Sequence, residues 1–165
     1  MTNATDRFSL PFIAPGQAQK ELFHNEALGR VDFLLHPAVE EAPRTDPPAT
    51  PAPGQCWIVA PGGIGAWSGK DGQVAACTSG GWRFSAPVPG MRVWNSAEGD
   101  ELYWDGTAWR DGEVPAKKLV VGGQQVVGQR QPPILSPSGG TIIDVEARAA
   151  IASVVATLMS HGLID

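Results

Sequence analysis

An α+β fold is what this sequence predicts: a small Trp/Gly-rich antiparallel β-domain, sandwich or small barrel, flanked by N-terminal and C-terminal amphipathic helices. Three observations predict it. Apolar residues recur at helical spacing near both ends, short β-type runs separated by Gly-rich turns fill the middle, and all six tryptophans fall between Trp57 and Trp109. A chain of 165 residues suits one ordinary domain, or a small one with helical extensions. Its 20 glycines and 15 prolines, about a fifth of the total, favour many turns and few long regular elements away from the ends.

The first helix follows Pro15-Gly16. Ala18, Leu22, Phe23, Ala27, Val31, Leu34 and Leu35 draw one stripe at helical spacing, which Leu28 widens. Pro37 stops the helix near His36, because its ring forbids further i→i−4 bonding. About twenty residues span roughly 30 Å, the width of a small domain. Such a stripe needs a partner helix or a neighbouring subunit, so Leu22, Phe23, Ala27, Val31, Leu34 and Leu35 are expected at an oligomer contact. Residues 1–41 form this extended segment and oligomerisation helix. Residues 42–53 carry five prolines in twelve positions and read as an extended linker with little hydrogen bonding of its own.

Residues 54–128 form the Trp-rich β-domain. Strands are expected at Cys56–Val59, Gly65–Trp67, Gln73–Thr78, Gly81–Ser85, Met91–Asn95, Glu101–Trp104 and Ala108–Arg110. Turns fall at Lys70-Asp71-Gly72, Ser79-Gly80-Gly81, Ala97 to Asp100 and Asp105-Gly106-Thr107, where Gly supplies positive φ. Val74 to Arg83 lines up with Leu102 to Arg110, and Gly54 to Trp57 with Gly90 to Trp94. This reads as a diverged two-fold repeat of hairpins. Leu119 to Val127 adds a hairpin about Gly122-Gly123. Residues 129–140 are a Pro/Gly loop, and 141–165 hold the second helix. Asp144 is its N-cap, Glu146 suits the dipole, and Gly162 stops it. Ala147, Ile151, Val154, Val155 and Leu158 form its stripe, and Ile151, Val155 and Leu158 join the expected oligomer contact.

Composition excludes several classes. A net charge of −5 without a Lys/Arg stripe argues against nucleic acid, since Lys117-Lys118 is the nearest approach to a basic cluster. No apolar run reaches the roughly 18 residues of a membrane span, and the first residues lack a signal peptide's apolar core. Synthesis in the cytoplasm is therefore expected. Cys56 and Cys77 are too far apart in sequence for a metal-binding pair and are expected reduced and buried. A disulfide would require the strands carrying them to be neighbours.

Catalytic, metal and cofactor chemistry finds little footing, and none is expected. Glu21 and His24 make one Glu-x-x-His where a di-metal bundle needs two and further carboxylates. Asp32 and His36 could brace each other at the helix end, and His161 is a favourable end charge. Gly62-Gly63-Ile64-Gly65 lacks the rest of a dinucleotide fingerprint. Ser9, Ser79 and Ser138 sit in no nucleophile motif. The tryptophans carry more weight. Each buries on the order of 200 Å², so the plain reading of Trp57 and its companions is core. The sharper one leaves Trp67, Trp82, Trp94, Trp104 and Trp109 as platforms for sugar faces or a partner. Asp105, at the hairpin tip between Trp104 and Trp109, would bond hydroxyls.

Several blocks also resemble a family of virion proteins of tailed phages and alphaproteobacterial gene transfer agents, whose shared domain is labelled as of unknown function. They are Leu10-Pro11, Ala14 to Glu21, His24-Asn25-Glu26-Ala27-Leu28, Pro53 to Val59, Gly65-Ala66-Trp67, Gly81 to Phe84 and Ile142 to Ile151. The resemblance implies a head spike at the capsid vertex that helps the particle adhere to host capsular polysaccharide. It carries no catalytic residues over. The expected partners are further copies of the chain, as a pentamer or trimer, other virion proteins such as capsid and spike fibre, and host glycan. Two other classes remain in view. A pure structural adaptor would join capsid or tail to a separate fibre. A polysaccharide hydrolase would need two carboxylates flanking a cleft, drawn from Asp71, Glu98, Asp100, Glu101 and Asp105.

Overall fold

The computed structural model describes residues 3–14, 16 and 20–165. Among these residues it is α+β, with two α-helices, one turn of 3-10 helix and nine short strands in three small sheets, none closed into a barrel. The chain divides into two compact units, Met1–Glu113 and Val114–Asp165. The boundary therefore falls after the Trp-rich strands, and the Pro-rich stretch lies inside the first unit.

In the first unit, α1 spans Lys20–Leu34, shorter than the stripe suggested. Ala18 and Pro15 lie outside the described residues. The helix docks by a polar side. Asn25 exchanges two hydrogen bonds with the Ile13 backbone (3.0 and 3.1 Å), Glu26 pairs with Arg83 at 3.0 Å, and only Asp32 and Phe33 are buried. Asp32 does not brace His36. Its oxygens accept from Thr5 Oγ1 (2.6 Å), Arg7 N (2.9 Å) and Phe8 N (2.8 Å), which ties down the N-terminal turn. The Arg7 guanidinium then donates to the Phe33 and His36 carbonyls, both at 3.2 Å, and caps groups the helix end leaves unpaired. The predicted stripe consequently points away from the body. Phe23 is 76% exposed, Leu22, Ala27, Val31 and Leu35 are exposed as well, and Leu34 alone packs on the core.

Two sheets enclose that core. One has the order β1-β5-β6-β7, from β1 (Ala38–Val39), β5 (Arg92–Asn95), β6 (Asp100–Trp104) and β7 (Trp109–Asp111). The other is the meander of β2 (Cys56–Ile58), β3 (Val74–Thr78) and β4 (Gly81–Ser85). Val93 and Leu102 of the first face Cys56, Ile58, Val74 and Ala76 of the second, with Val39 and Phe33 completing the cluster. Strand alternation sends Trp57, Val59, Ala75 and Cys77 to the opposite side of the second sheet. There they meet Trp67, from a turn of 3-10 helix at Gly65–Trp67. Sequence propensity suggested a strand at this place. The segment instead folds back over its own sheet, held by the Asp71 carboxylate accepting from Gly62 N and Gly63 N (both 3.1 Å).

The repeat has a structural counterpart. β2-β3-β4 and β5-β6-β7 are both antiparallel meanders, and the aligned pairs Cys77↔Trp82 and Trp104↔Trp109 are cross-strand partners. The Pro-rich stretch is not a free linker. Arg44 N donates to Ile58 O (2.9 Å) and Ala60 N to Arg44 O (2.7 Å), so it runs as a strap beside β2. Cys56 and Cys77 are free and buried. Cys56 sits opposite Ala76, so Cys77 faces the other side of the sheet and the two sulfurs cannot be bridged. Burial pushes the Cys56 thiol up to about 12.

The second unit holds the hairpin β8 (Leu119–Val121) and β9 (Gln124–Val127), and α2 (Val145–Ser160). Asp144 caps α2 by accepting from Ala147 N (2.8 Å), and Gly162 ends it at φ 66°. The helix buries no side chain, and Ile164 is the one buried residue of the unit.

Candidate functional site

The six tryptophans divide three ways. Trp57, Trp67 and Trp82 form an interior cluster on the second sheet, with ring centroids 5.2–6.2 Å apart. Trp67 is 0% exposed and offers a ligand no face, which corrects the expectation of a platform there. Trp82 is half-buried against it. Trp94 lies on the open face of the four-stranded sheet, 46% exposed, and its neighbours there are Arg92 and Glu101, joined at 2.7 Å.

Trp104 and Trp109 make the third group. They face each other across β6 and β7 edge-to-face, with centroids 5.6 Å apart and planes at 63°. Both are half-buried, and they form one wall of a cleft of about 340 Å³. Its other walls are Pro43 of the strap, Pro61, Asp71 and Gly72 of the folded-back segment, and Thr107 at the hairpin tip. Trp109 Nε1 donates to Gly72 O (2.8 Å), which locks that indole in place. Gly72 has φ +73°, and a Cβ there would touch the Trp104 ring at 3.6 Å, so a larger residue would be both strained and pressed against the cleft wall.

Asp105 has a different task from the one expected. One oxygen accepts from Thr107 N (2.7 Å), Thr107 Oγ1 (2.8 Å) and Ala108 N (2.8 Å), and the other from Arg110 (2.6 Å). The Ala108 and Thr107 amides, then the Thr107 hydroxyl and Arg110, hold its carboxyl well below the usual range. Its bonding capacity is spent on the turn that aims Trp104 and Trp109. Asp71, expected as a turn residue and as one of five carboxylates open to a hydrolase, is the one that lines the cleft. The signal available was the Lys70-Asp71-Gly72 turn itself, which says nothing about Trp104 lying alongside.

The other carboxylates do not converge on this cleft. Asp100 on β6 neighbours Asp111 on β7. Burial first, then the Asp111 charge and hydrogen bond, raise its carboxyl. No local pattern foreshadows that pair: Asp111 sits opposite Leu102, so Asp100, two residues before it, is the diagonal neighbour on the same face. Among the described residues, no helix is long and apolar enough to cross a membrane.

A match to a family described as a protein of unknown function (DUF2793) covers residues 24–110, more than half of the chain. The chain belongs to the DUF2793 family. The matched span runs from α1 through the strap and both sheets into β7, and it holds all six tryptophans. The N-terminal turn and the second unit lie outside it. No curated protein matches the chain.

Proposed function

We propose that this DUF2793 chain is a structural component of a phage-like or gene-transfer-agent particle, a head-spike protein that contributes to adhesion to host surface polysaccharide. The adhesive part of this reading is carried by the Trp104–Trp109 cleft. Pyranose rings present flat C–H faces that pack on indoles, and a half-open apolar slot with a carboxylate at its rim suits one or two of them. The assembly part is supported by α1, which docks through polar contacts and turns Phe23, Ala27, Val31 and Leu35 outward. An apolar helix face left in water by its own domain is suited to a neighbouring subunit or another virion protein. The likeness to virion proteins noted in the sequence supports the setting. On this reading the protein is made in the bacterial cytoplasm and is placed on the particle surface during assembly.

The test is binding of the full chain to purified capsular polysaccharide, by calorimetry or co-sedimentation. Trp104→Ala should weaken binding about tenfold, equivalent to about 1.4 kcal/mol, with the fold intact by near-ultraviolet dichroism. Unchanged binding in Trp104→Ala together with loss in Trp94→Ala would move the site to the open sheet face and refute the cleft. The adaptor reading draws on the interior Trp57–Trp67–Trp82 cluster and on the internal bond of Trp109, which give those indoles structural duties. Wild-type protein that ignores every polysaccharide but binds particle proteins would favour it.

A further inference from the structure

We infer that the C-terminal unit, Val114–Asp165, is an assembly module that obtains its hydrophobic core only from further copies of itself. The inference stands apart from the spike reading, because it concerns only how this segment can fold. Within one chain the unit is held by polar struts. Gln131 N donates to Leu163 O and Asp165 N to Gln131 O, both at 2.9 Å. Arg130 bonds Ile164 O (3.0 Å) and Asp165 (2.9 Å), and Arg148 bonds the Pro137 and Gly139 carbonyls. Against these, Ile164 is the one fully buried side chain, with Val155 and Leu158 half-buried. A lone two-stranded hairpin and a lone helix of 16 residues are each marginal in water, so this arrangement lacks the burial that would sustain it.

What is exposed indicates what covers it. Leu135 is 86% and Ile142 91% exposed, and Val121, Val126, Val154 and Met159 stand in water as well. Together the large apolar side chains of this unit present on the order of 1,000 Å², above the about 800 Å² each partner gives to a standard interface. On β8 the successive residues Leu119, Val120 and Val121 alternate sides and all are exposed, although Gln125 and Gln124 stand opposite Val120 and Val121. Both of its edges are unpaired. A ribbon needing cover on two faces and two edges is met by copies arranged around an axis, where each supplies what the next lacks. On α2 the polar residues Glu146, Ser153, Thr157 and Ser160 fall on one narrow stripe, and Arg148, on the opposite side, is turned back to the Pro137 and Gly139 carbonyls. Charge does not oppose this. The unit has four Lys or Arg against three Asp or Glu, while the rest of the chain carries the negative excess. Near-neutral copies can approach closely.

The chain supplies its own probe, because every Trp, Tyr and Phe lies before Val114. Near-ultraviolet dichroism therefore reports the first unit alone, and light scattering reports assembly. Full-length protein should have a mass that is an integral multiple of 17.4 kDa, two or more. Ile151→Asp with Val155→Asp should bring it to 17.4 kDa with the aromatic signal unchanged and part of the 222 nm signal lost. Dilution of the wild type should lower mass and helical signal together. A wild-type monomer at tens of micromolar would overturn the inference. So would a multimer that survives the double substitution but is dissolved by Phe23→Asp with Val31→Asp, which would place the association on α1.

Discussion

Trp67 offers the sharpest test of the packing described above. It is wholly buried, its ring lies 5.2 Å from Trp82 and 6.2 Å from Trp57, and its Nε1 has no hydrogen-bond partner. Two substitutions separate these facts. Trp67→Ala removes the whole indole from a cluster of packed rings, and Gly63 lies tight against the backbone that carries it. A Cβ on Gly63 would stand 2.8 Å from Trp67 O and 2.7 Å from Val59 Cγ1. The expected cost is about 3–5 kcal/mol. A unit of this size has a total stability of about 6–15 kcal/mol, so the melting temperature should fall by roughly 10 °C or more. Trp67→Phe keeps most of the packing and deletes the unpaired donor. The lost ring area costs about 1–2 kcal/mol, and relief of the buried N–H returns about 1–3 kcal/mol. The net should lie within about 1 kcal/mol of zero. Urea unfolding of both variants, followed by tryptophan fluorescence, measures the difference. Equal large losses would refute the reasoning, since the N–H would then be making a bond that matters. A loss below about 0.5 kcal/mol in Trp67→Ala would mean the residue is not core.

Three further outcomes follow from the geometry. Gly63→Ala should destabilise the first unit in urea unfolding by about 1–3 kcal/mol, because the added methyl meets backbone and a packed valine; an unchanged midpoint would contradict that contact. Asp100 has a folded pKa above its unfolded value, so the native state binds more protons and stability falls as pH rises from about 4 through the raised value. Asp111→Asn should flatten that fall and stabilise the protein at pH 7, with the two proteins converging below about pH 4 in melting experiments. Both thiols should react slowly with a disulfide reagent in the native state, be released as two on denaturation, and fail to form an intramolecular disulfide under oxidant. A native Cys56–Cys77 crosslink in peptide mass mapping would show the strand faces to be misassigned.

Much of this fold is legible in the residues. Six of the seven strands expected in the Trp-rich stretch, and both strands of the Leu119–Val127 hairpin, are present because each run is bounded by turn chemistry that does not depend on tertiary context. Asp105-Gly106 and the Asp144 cap are the plainest cases. The helical period of the Leu22 to Leu35 stripe was readable too, but not which way it faces. Side chains that dock by hydrogen bonding, such as Asn25 and Asp32, leave no mark in a hydrophobic pattern. The 3-10 turn at Gly65–Trp67 escaped for a related reason. A segment that folds back over its own sheet takes its shape from the surface beneath it and from Asp71, nine residues beyond Gly62. The candidate cleft was half visible. Trp104 and Trp109 could be paired from the hairpin, whereas Pro43 and Gly72 arrive from distant segments that no local pattern connects to it. The strap's pairing along β2 was invisible as well, since prolines hide the residues such as Arg44 that do bond.

The two meanders are similar in sequence but are not equally constrained. The β2-β3-β4 layer is sealed above and below, so a change at Cys56 to Val59 or Val74 to Cys77 disturbs one interior or the other. The β5-β6-β7 layer is sealed on one side only, and Arg92, Trp94 and Glu101 are exposed on the other. A saturation scan scored by protease resistance should find the first set intolerant and the second permissive. One half of the body is thereby committed to keeping its shape, and the other has an outer skin that can be rewritten without risk to the frame.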